Sequence, residues 1–365
     1  MLYLRIYVSI AFFGVLIMFT FNFPAVKGIQ AGKDYFIAMV PLGLVSKLFH
    51  NEEEFISPEY RAQRKINEAR IPEMRDYILS NRSSYVFSAL SASIDGEFEF
   101  IPQGGDTNLG ILKVNMDAVF VINDGQHRKA AIAAAISEDP SLRDETISIV
   151  FFKDEGLHRS QQMFADLNKH AVKSTKSLST LYDNRDDFSN AVKSVIAAVP
   201  FLNKYVDKEN DNLGKNAFKL FTLANFSKSS KRIVKEEPIS EDTITFLSDY
   251  WSLIFSKIVE WEMLENKELP KCSLREDYIL TLAVTLNAFG RLGRYIFEHR
   301  ETIASLNRLK DVDWSRANID WKNRAIDERG KIINTEAAVI KICNYIKLKL
   351  GLELNREELI KEKEV

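Results

Sequence analysis

Residues 121–136, VINDGQHRKAAIAAAI, restrict the fold more than any other stretch of the chain. An apolar, partly β-branched run gives way within a few residues to an alanine-rich one, so a strand must turn almost directly into a helix. Ala130, Ala131, Ala133, Ala134 and Ala135 keep that helix thin enough to lie close against a sheet, the setting of a mixed α/β unit. The first amides of such a helix lack intrahelical acceptors, and its dipoles leave partial positive charge there, so the bend attracts anions. Asp124 is expected to cap the helix through its carboxylate, and Gly125 to permit a positive φ and close approach of a ligand. Gln126 and His127 add neutral hydrogen-bonding groups, and the Arg128 fork can grip two phosphate oxygens. The plainer alternative is that Asp-Gly is only a turn, with His127 and Arg128 capping or bridging locally.

The flanking sequence extends the α/β pattern. A strand is expected over residues 35–40, ended by Pro41, then a short apolar helix closing near His50. Ser57 and Pro58 open a helix, Pro72 divides it from a second one, and that one ends near Asn81. Asp95-Gly96 lies between two strand-like runs as a hairpin turn does, and residues 118–122 and 146–154 read as further strands. Beyond Gly156 the periodicity becomes helical, interrupted by the basic, serine-rich residues 227–238, SKSSKRIVKEEP, which read as a flexible loop or linker. Trp251, Trp261, Trp314 and Trp321 are expected to anchor the helical part. The fold class is therefore α+β: a mixed α/β N-terminal domain, then a mainly helical one.

Charge and cysteine content narrow the chemistry. With 49 basic and 51 acidic residues, any contact with nucleic acid rests on a local patch. Cys272 and Cys343 have no partners at metal-ligand spacing, the five histidines form no HExxH pattern, and neither a P-loop nor a GxSxG elbow occurs. A reduced, cytoplasmic protein is the simple expectation. Residues 6–23, IYVSIAFFGVLIMFTFNF, are uncharged and as long as a membrane span, which leaves three readings of this end: translation from Met18, an anchor, or a buried apolar element.

Other anion-binding candidates are Asn168, Lys169, His170, Lys173 and Lys176, with Ser174 and Thr175 able to cap a following helix or touch phosphate. Arg61 and Arg64 sit one helical turn apart and can present forks to one anion, or pair with Glu59 and Glu68. Lys228, Lys231 and Arg232 are candidates for sequence-independent DNA contact, or simply a solvated loop.

DGQHR before an alanine-rich helix resembles the signature of the DGQHR-domain proteins. Together with FPAVKGIQAGKDYFIAMVPL, RAQRKINEARIPEMRDYIL, YVFSALSASIDG, FADLNKHAVKSTKSLSTLYDNRD and VDWSRANIDWKNRAI, it makes residues 21–352 similar to the DndB family of DNA sulfur-modification (phosphorothioation) proteins. The resemblance implies a ParB-like DGQHR domain over residues 21–185 and a helical domain over 186–365, after an apolar extension at 1–20. It puts Gly125, His127 and Arg128 in a turn contacting nucleotide or DNA phosphate. Asp124 and Gln126 are particular to the DGQHR variant, so the nucleotide chemistry of ParB relatives does not carry over.

The implied function is repression of the modification operon. Its partners are promoter DNA and other phosphorothioation-system proteins, and the helical half supplies homo-oligomer or groove contacts. The alternative is an NTP hydrolase or nuclease-like effector in phage defence. There Asp124 or His127 would position or deprotonate water, Arg128 would stabilise phosphoryl charge, and a nucleoside triphosphate with Mg would be the ligand. A scaffold acting through the helical half is a third possibility.

Overall fold

The computed structural model describes residues 19–49, 66–169, 174–214, 217–235 and 238–363. The expected helix beginning at Ser57, and residues 1–18, lie outside them. The fold is α+β, a mixed seven-stranded sheet in the N-terminal half and mostly helices afterwards. The chain divides into two compact units between Val172 and Lys173.

In the first unit β1 (Thr20–Gln30), β2 (Lys33–Pro41), β3 (Leu90–Asp95), β4 (Phe98–Gln103), β5 (Asp106–Asn115), β6 (Val119–Asp124) and β7 (Thr146–Lys153) form one sheet of order β4-β5-β1-β2-β7-β3-β6. Every neighbouring pair is antiparallel except β3 with β7. Alternation fixes which residues turn inward. Phe23 and Ala25, Phe36, Ala38 and Val40, Leu112 and Val114, and Ile147, Ile149 and Phe151 are all buried on one face. Helices α1 (Leu42–Leu48), α2 (Ile71–Ser80) and α3 (Gln126–Glu138) close that face through Val45, Leu48, Ile78, Ile132 and Ala135. At 25 cal/mol per Å², each such aliphatic side chain contributes about 1.5–3 kcal/mol. A further helix, α4 (Leu157–Lys169), completes the unit.

Three expectations need correction here. The bend at Asp95-Gly96 is not a hairpin turn, because β3 pairs with β6 and β7 while β4 pairs with β5. Leu90, Ala92, Ser93 and Ile94 are buried on both faces of β3, which marks an interior strand, whereas β4 carries exposed Glu99 and belongs at an edge. β1 escaped the reading, although Ala31 and Gly32 (φ 51° and 75°) join it to β2 as a two-residue hairpin turn. Since Thr20–Phe23 belong to β1 and Phe23 is in the core, the uncharged stretch 6–23 does not continue as a helix to its end. Among the described residues no helix is long and apolar enough to cross a membrane.

The second unit holds α5 (Lys176–Tyr182), α6 (Asp187–Ala198), α7 (Pro200–Tyr205), a two-strand pair β8 (Val206–Asp207) and β9 (Phe221–Thr222), and α8 (Leu223–Val234). Then come α9 (Glu241–Lys257), α10 (Val259–Glu265), α11 (Lys271–Asp277), α12 (Ala283–Glu298), α13 (Glu336–Leu350) and α14 (Arg356–Glu362). All four tryptophans are buried as expected. Trp314 stacks on Trp321 at 5.6 Å, and Trp251 Nε1 donates to Ser230 Oγ at 3.1 Å. The fourth correction is residues 227–238: most of this segment is α8, not a linker. Phe226, Ser229, Ser230, Ile233 and Val234 face inward, a helical spacing that the charged residues between them disguise.

Candidate functional site

The strand that precedes the DGQHR bend ends at Asp124, and α3 begins at Gln126 with Gly125 as its N-terminal cap at φ 109°, ψ 17°. A Cβ at Gly125 would lie 2.3 Å from Leu90 Cδ2, so only glycine fits between the turn and β3. The first intrahelical bond runs from Lys129 N–H to Gly125 O at 2.9 Å. Asp124 is therefore not the cap. It stands one residue too early, still in the strand, and its carboxylate accepts from Arg128 Nη2 at 2.5 Å. Because glycine brings no capping side chain, α3 begins with its peptide dipoles uncompensated by a cap.

Arg128 does not project into solvent. Its side chain is 15% exposed, and Nη1 donates to Ser88 O and Ala89 O, each at 2.9 Å, and to Ser88 Oγ. His127 Nε2 accepts from the Asn67 amide at 3.0 Å. Asp124 and His127, the two groups named for activating water, are thus both engaged in protein contacts. Gln126 is half-buried.

The sequence reading missed two residues at the bend. Lys129 is buried in the first turn of α3, and burial lowers the pKa of its ammonium group. Asn123, 1% exposed, donates through Nδ2 to Ser93 Oγ at 2.8 Å and to Met163 Sδ at 3.1 Å. It thereby fixes the end of β6 to both β3 and α4. The signal for Asn123 was legible as a lone amide closing an apolar strand; its Nδ2 is paired, whereas its buried Oδ1 meets no partner among the described residues.

Among the other candidates, Asn168 and Lys169 end α4, the helix that Met163 holds to the strand before the bend. Arg61, Arg64, His170 and Lys173 lie outside the described residues. Thr175 caps α5 as expected, accepting from Leu178 N–H at 3.1 Å. The Lys176 and Ser177 amides donate to the Asp211 carboxylate at 2.8 and 2.9 Å, so a protein acid already occupies that helix end. Lys228 and Lys231 are exposed on α8, Lys231 with its Nζ 4.8 Å from the centre of the Phe188 ring. Arg232 is a brace: its fork meets Glu336 in two bonds of 2.7 Å and its Nε reaches Asn287 Oδ1 at 2.9 Å. The Arg232 hydrogen bond lowers the pKa of the Glu336 carboxyl. The expected mobile DNA-contacting loop is corrected accordingly to an ordered helix with one of its three cations tied down.

A cleft of about 560 Å³ opens in the first unit beside Arg82, Tyr85, Phe87, Glu145 and Ser148. Arg82 Nη1 donates to Glu145 Oε1 at 2.8 Å, and the Tyr85 hydroxyl donates to Glu145 Oε2. Burial, and then the Glu145 carboxylate, push the Tyr85 phenol up to about 12. A raised phenol pKa gives stability that is complete below the ordinary value of 10.0 and lost as pH rises through 12. Tyr85→Phe is expected to cost about 1 kcal/mol near neutral pH by chemical denaturation, and to flatten the loss of stability that the parent shows between those two pH values.

Among the described residues, no group of three or more His, Cys, Asp or Glu is arranged to hold a metal ion. No curated protein and no solved structure matched the chain. Residues 23–353 match the family model of DndB, described as DNA-sulfur modification-associated. The span takes in the sheet, the DGQHR bend with its glycine-started helix, and the second unit through α13, so the chain belongs to the DndB family of DNA sulfur-modification-associated proteins.

Proposed function

We propose that this protein is a DNA-binding regulator of a phosphorothioation system, a repressor of the modification operon. In this reading the first unit is a ParB-like DGQHR domain working in the cytoplasm, and the helical unit supplies self-association and contacts to other proteins of the system. The observation that carries the reading is the start of α3. A buried glycine at φ 109° ends a sheet strand and opens a 13-residue helix without a capping side chain, in a chain whose family is tied to DNA sulfur modification. Peptide amides and dipole at such an end suit a phosphate oxygen, with Gln126, His127 and Lys129 in the same turn. Phosphate contacts of this kind set register on the duplex, and contacts to base edges from elsewhere supply sequence preference.

A gel-shift titration of the full chain on operon promoter DNA, beside scrambled DNA of equal length, tests the proposal. The promoter is expected to bind at least about 10³-fold more tightly, with an affinity that falls by roughly 0.9 decade per decade of salt for each phosphate engaged. Equal affinity for both DNAs, or none at low salt, removes the regulator reading. Nucleotide turnover in the same preparation would favour the effector instead.

A further inference from the structure

We infer that Arg128 is a positioning residue: it fixes the start of α3 against β3 and leaves phosphate contact to the helix end itself. This deepens the proposed function and rests on it.

Arg128 takes its backbone acceptors from the two residues before β3. Ser88 and Ala89 directly precede Leu90, the first residue of β3 and the first to pair with β7. Asp154 N–H bonds Ile94 O at 2.9 Å, which shows that even-numbered carbonyls of β3 face β7. Parallel pairing repeats every two residues, so Ser88 O is the next carbonyl that the ladder would use. Arg128 Nη1 holds that carbonyl at 2.9 Å, together with Ala89 O at the same distance. The guanidinium thus stands where the β3–β7 ladder stops.

The same region carries the turn. A Cβ on Gly125 would meet Leu90 Cδ2 at 2.3 Å, so the bend is seated on the residue just after the two carbonyls. Asp124 accepts from the other arm at 2.5 Å, and its charge offsets that of the guanidinium. A phosphate approaching Arg128 would have to displace a carboxylate already in contact and two carbonyls in a partly buried position, where unpaired groups are costly. The glycine cap itself places no side chain on the helix end.

The two roles of Arg128 differ in what salt and lysine do. A residue that neutralises a phosphate takes about one unit off the slope of log affinity against log salt when it is removed, and lysine largely replaces it. A residue that holds two carbonyls with one arm and a carboxylate with the other changes affinity at constant slope, and lysine does not replace that planar spread of donors. Promoter-DNA titrations over a salt series, using the full chain with Arg128→Gln, Arg128→Lys, Asp124→Asn, Ser88→Ala and Gly125→Val, separate the two.

Arg128→Gln and Arg128→Lys are each expected to weaken binding roughly tenfold or more with the slope unchanged, the size that losing charge-assisted hydrogen bonds implies. Ser88→Ala, which meets Arg128 through a hydroxyl, should weaken binding a few-fold, again at constant slope. Melting curves confirm that each variant is folded, and Ser88→Ala keeps the test open should Arg128→Gln fail to fold. A slope reduced by about one in Arg128→Gln, with Arg128→Lys close to the parent, makes Arg128 a direct ligand and overturns the inference while leaving the proposed function standing. Parent-like binding by every variant, Gly125→Val included, overturns the inference and moves the DNA contacts away from the α3 start, whereas a parent chain without preference for promoter DNA removes the proposed function.

Discussion

Lys347→Ala is expected to destabilise the second unit by about 3–5 kcal/mol, the usual result of leaving one member of a buried ion pair alone. The Lys347 and Glu358 side chains are 2% and 5% exposed, and Lys347 Nζ lies 2.7 Å from Glu358 Oε2. The same oxygen accepts the Asn355 amide at 3.0 Å in a capping box that starts α14, and Asn344 Nδ2 donates to the Glu358 carbonyl at 2.8 Å. One pair therefore joins α13 to α14 and supports the α14 start. Burial opposes ionisation of Glu358 and is the largest single influence, but the Lys347 hydrogen bond, the Asn355 amide and the charges of Lys347 and Arg291 outweigh it and leave the carboxyl below its ordinary value of 4.5.

A depressed carboxyl contributes stability that is present above 4.5 and lost as pH falls through the folded value. Without the lysine the balance reverses, and Glu358 can relieve its burial by taking up a proton. The gap between parent and variant should therefore be wide at neutral pH and narrow on acidification, as read from denaturant unfolding of the second unit. The double variant Lys347→Met with Glu358→Leu should return most of the loss, since a well-packed apolar pair replaces a desolvated ionic one. A single variant costing under about 1 kcal/mol would mean that water reaches the pair.

How far the sequence exposed this molecule depended on whether the signal was local. Pro41 ended β2, Asn81 capped α2 and Thr175 capped α5, because each acts through its own backbone or nearest amides. The four tryptophans were legible from size alone. Pairing partners were not. Asp95-Gly96 has the composition of a hairpin turn, yet β3 finds its partners 24 or more residues downstream, in β6 and β7, and nothing between residues 90 and 103 encodes that. In α8 the lysines and serines hid a buried face whose apolar members, Phe226, Ile233 and Val234, are spaced for a helix but few in number. At the candidate site the bend, its glycine, the helix start and a local bridge by Arg128, made with Asp124, were legible, whereas the Arg128 contacts to the carbonyls before β3 were not. A fork aimed at phosphate and a fork aimed at Ser88 and Ala89 look alike in one dimension.

Gly125→Val should weaken the first unit by about 2–5 kcal/mol and abolish promoter binding. Two costs combine. A φ of 109° is outside what a branched side chain adopts, at about 1–2 kcal/mol, and the new Cβ would stand 2.3 Å from Leu90 Cδ2, an overlap worth a further 1–3 kcal/mol, roughly, in a packed core. Leu90 is fully buried and begins β3, so it cannot swing out without opening the sheet. The bend has to move instead, carrying with it the first turn of α3 and the Arg128 contacts to Ser88 and Ala89. Gly104→Ala provides the control. That glycine also has a positive φ, 68°, but a Cβ there meets nothing within 4 Å, so it isolates the backbone cost at about 1 kcal/mol. Thermal melting of both variants and their promoter affinities give the comparison. If Gly125→Val melts like Gly104→Ala, the turn yields without strain and the close seat on Leu90 is not what holds it. If it is destabilised as expected yet still binds promoter at parent affinity, the start of α3 is a structural joint, and the contacts to DNA are made by another part of the chain.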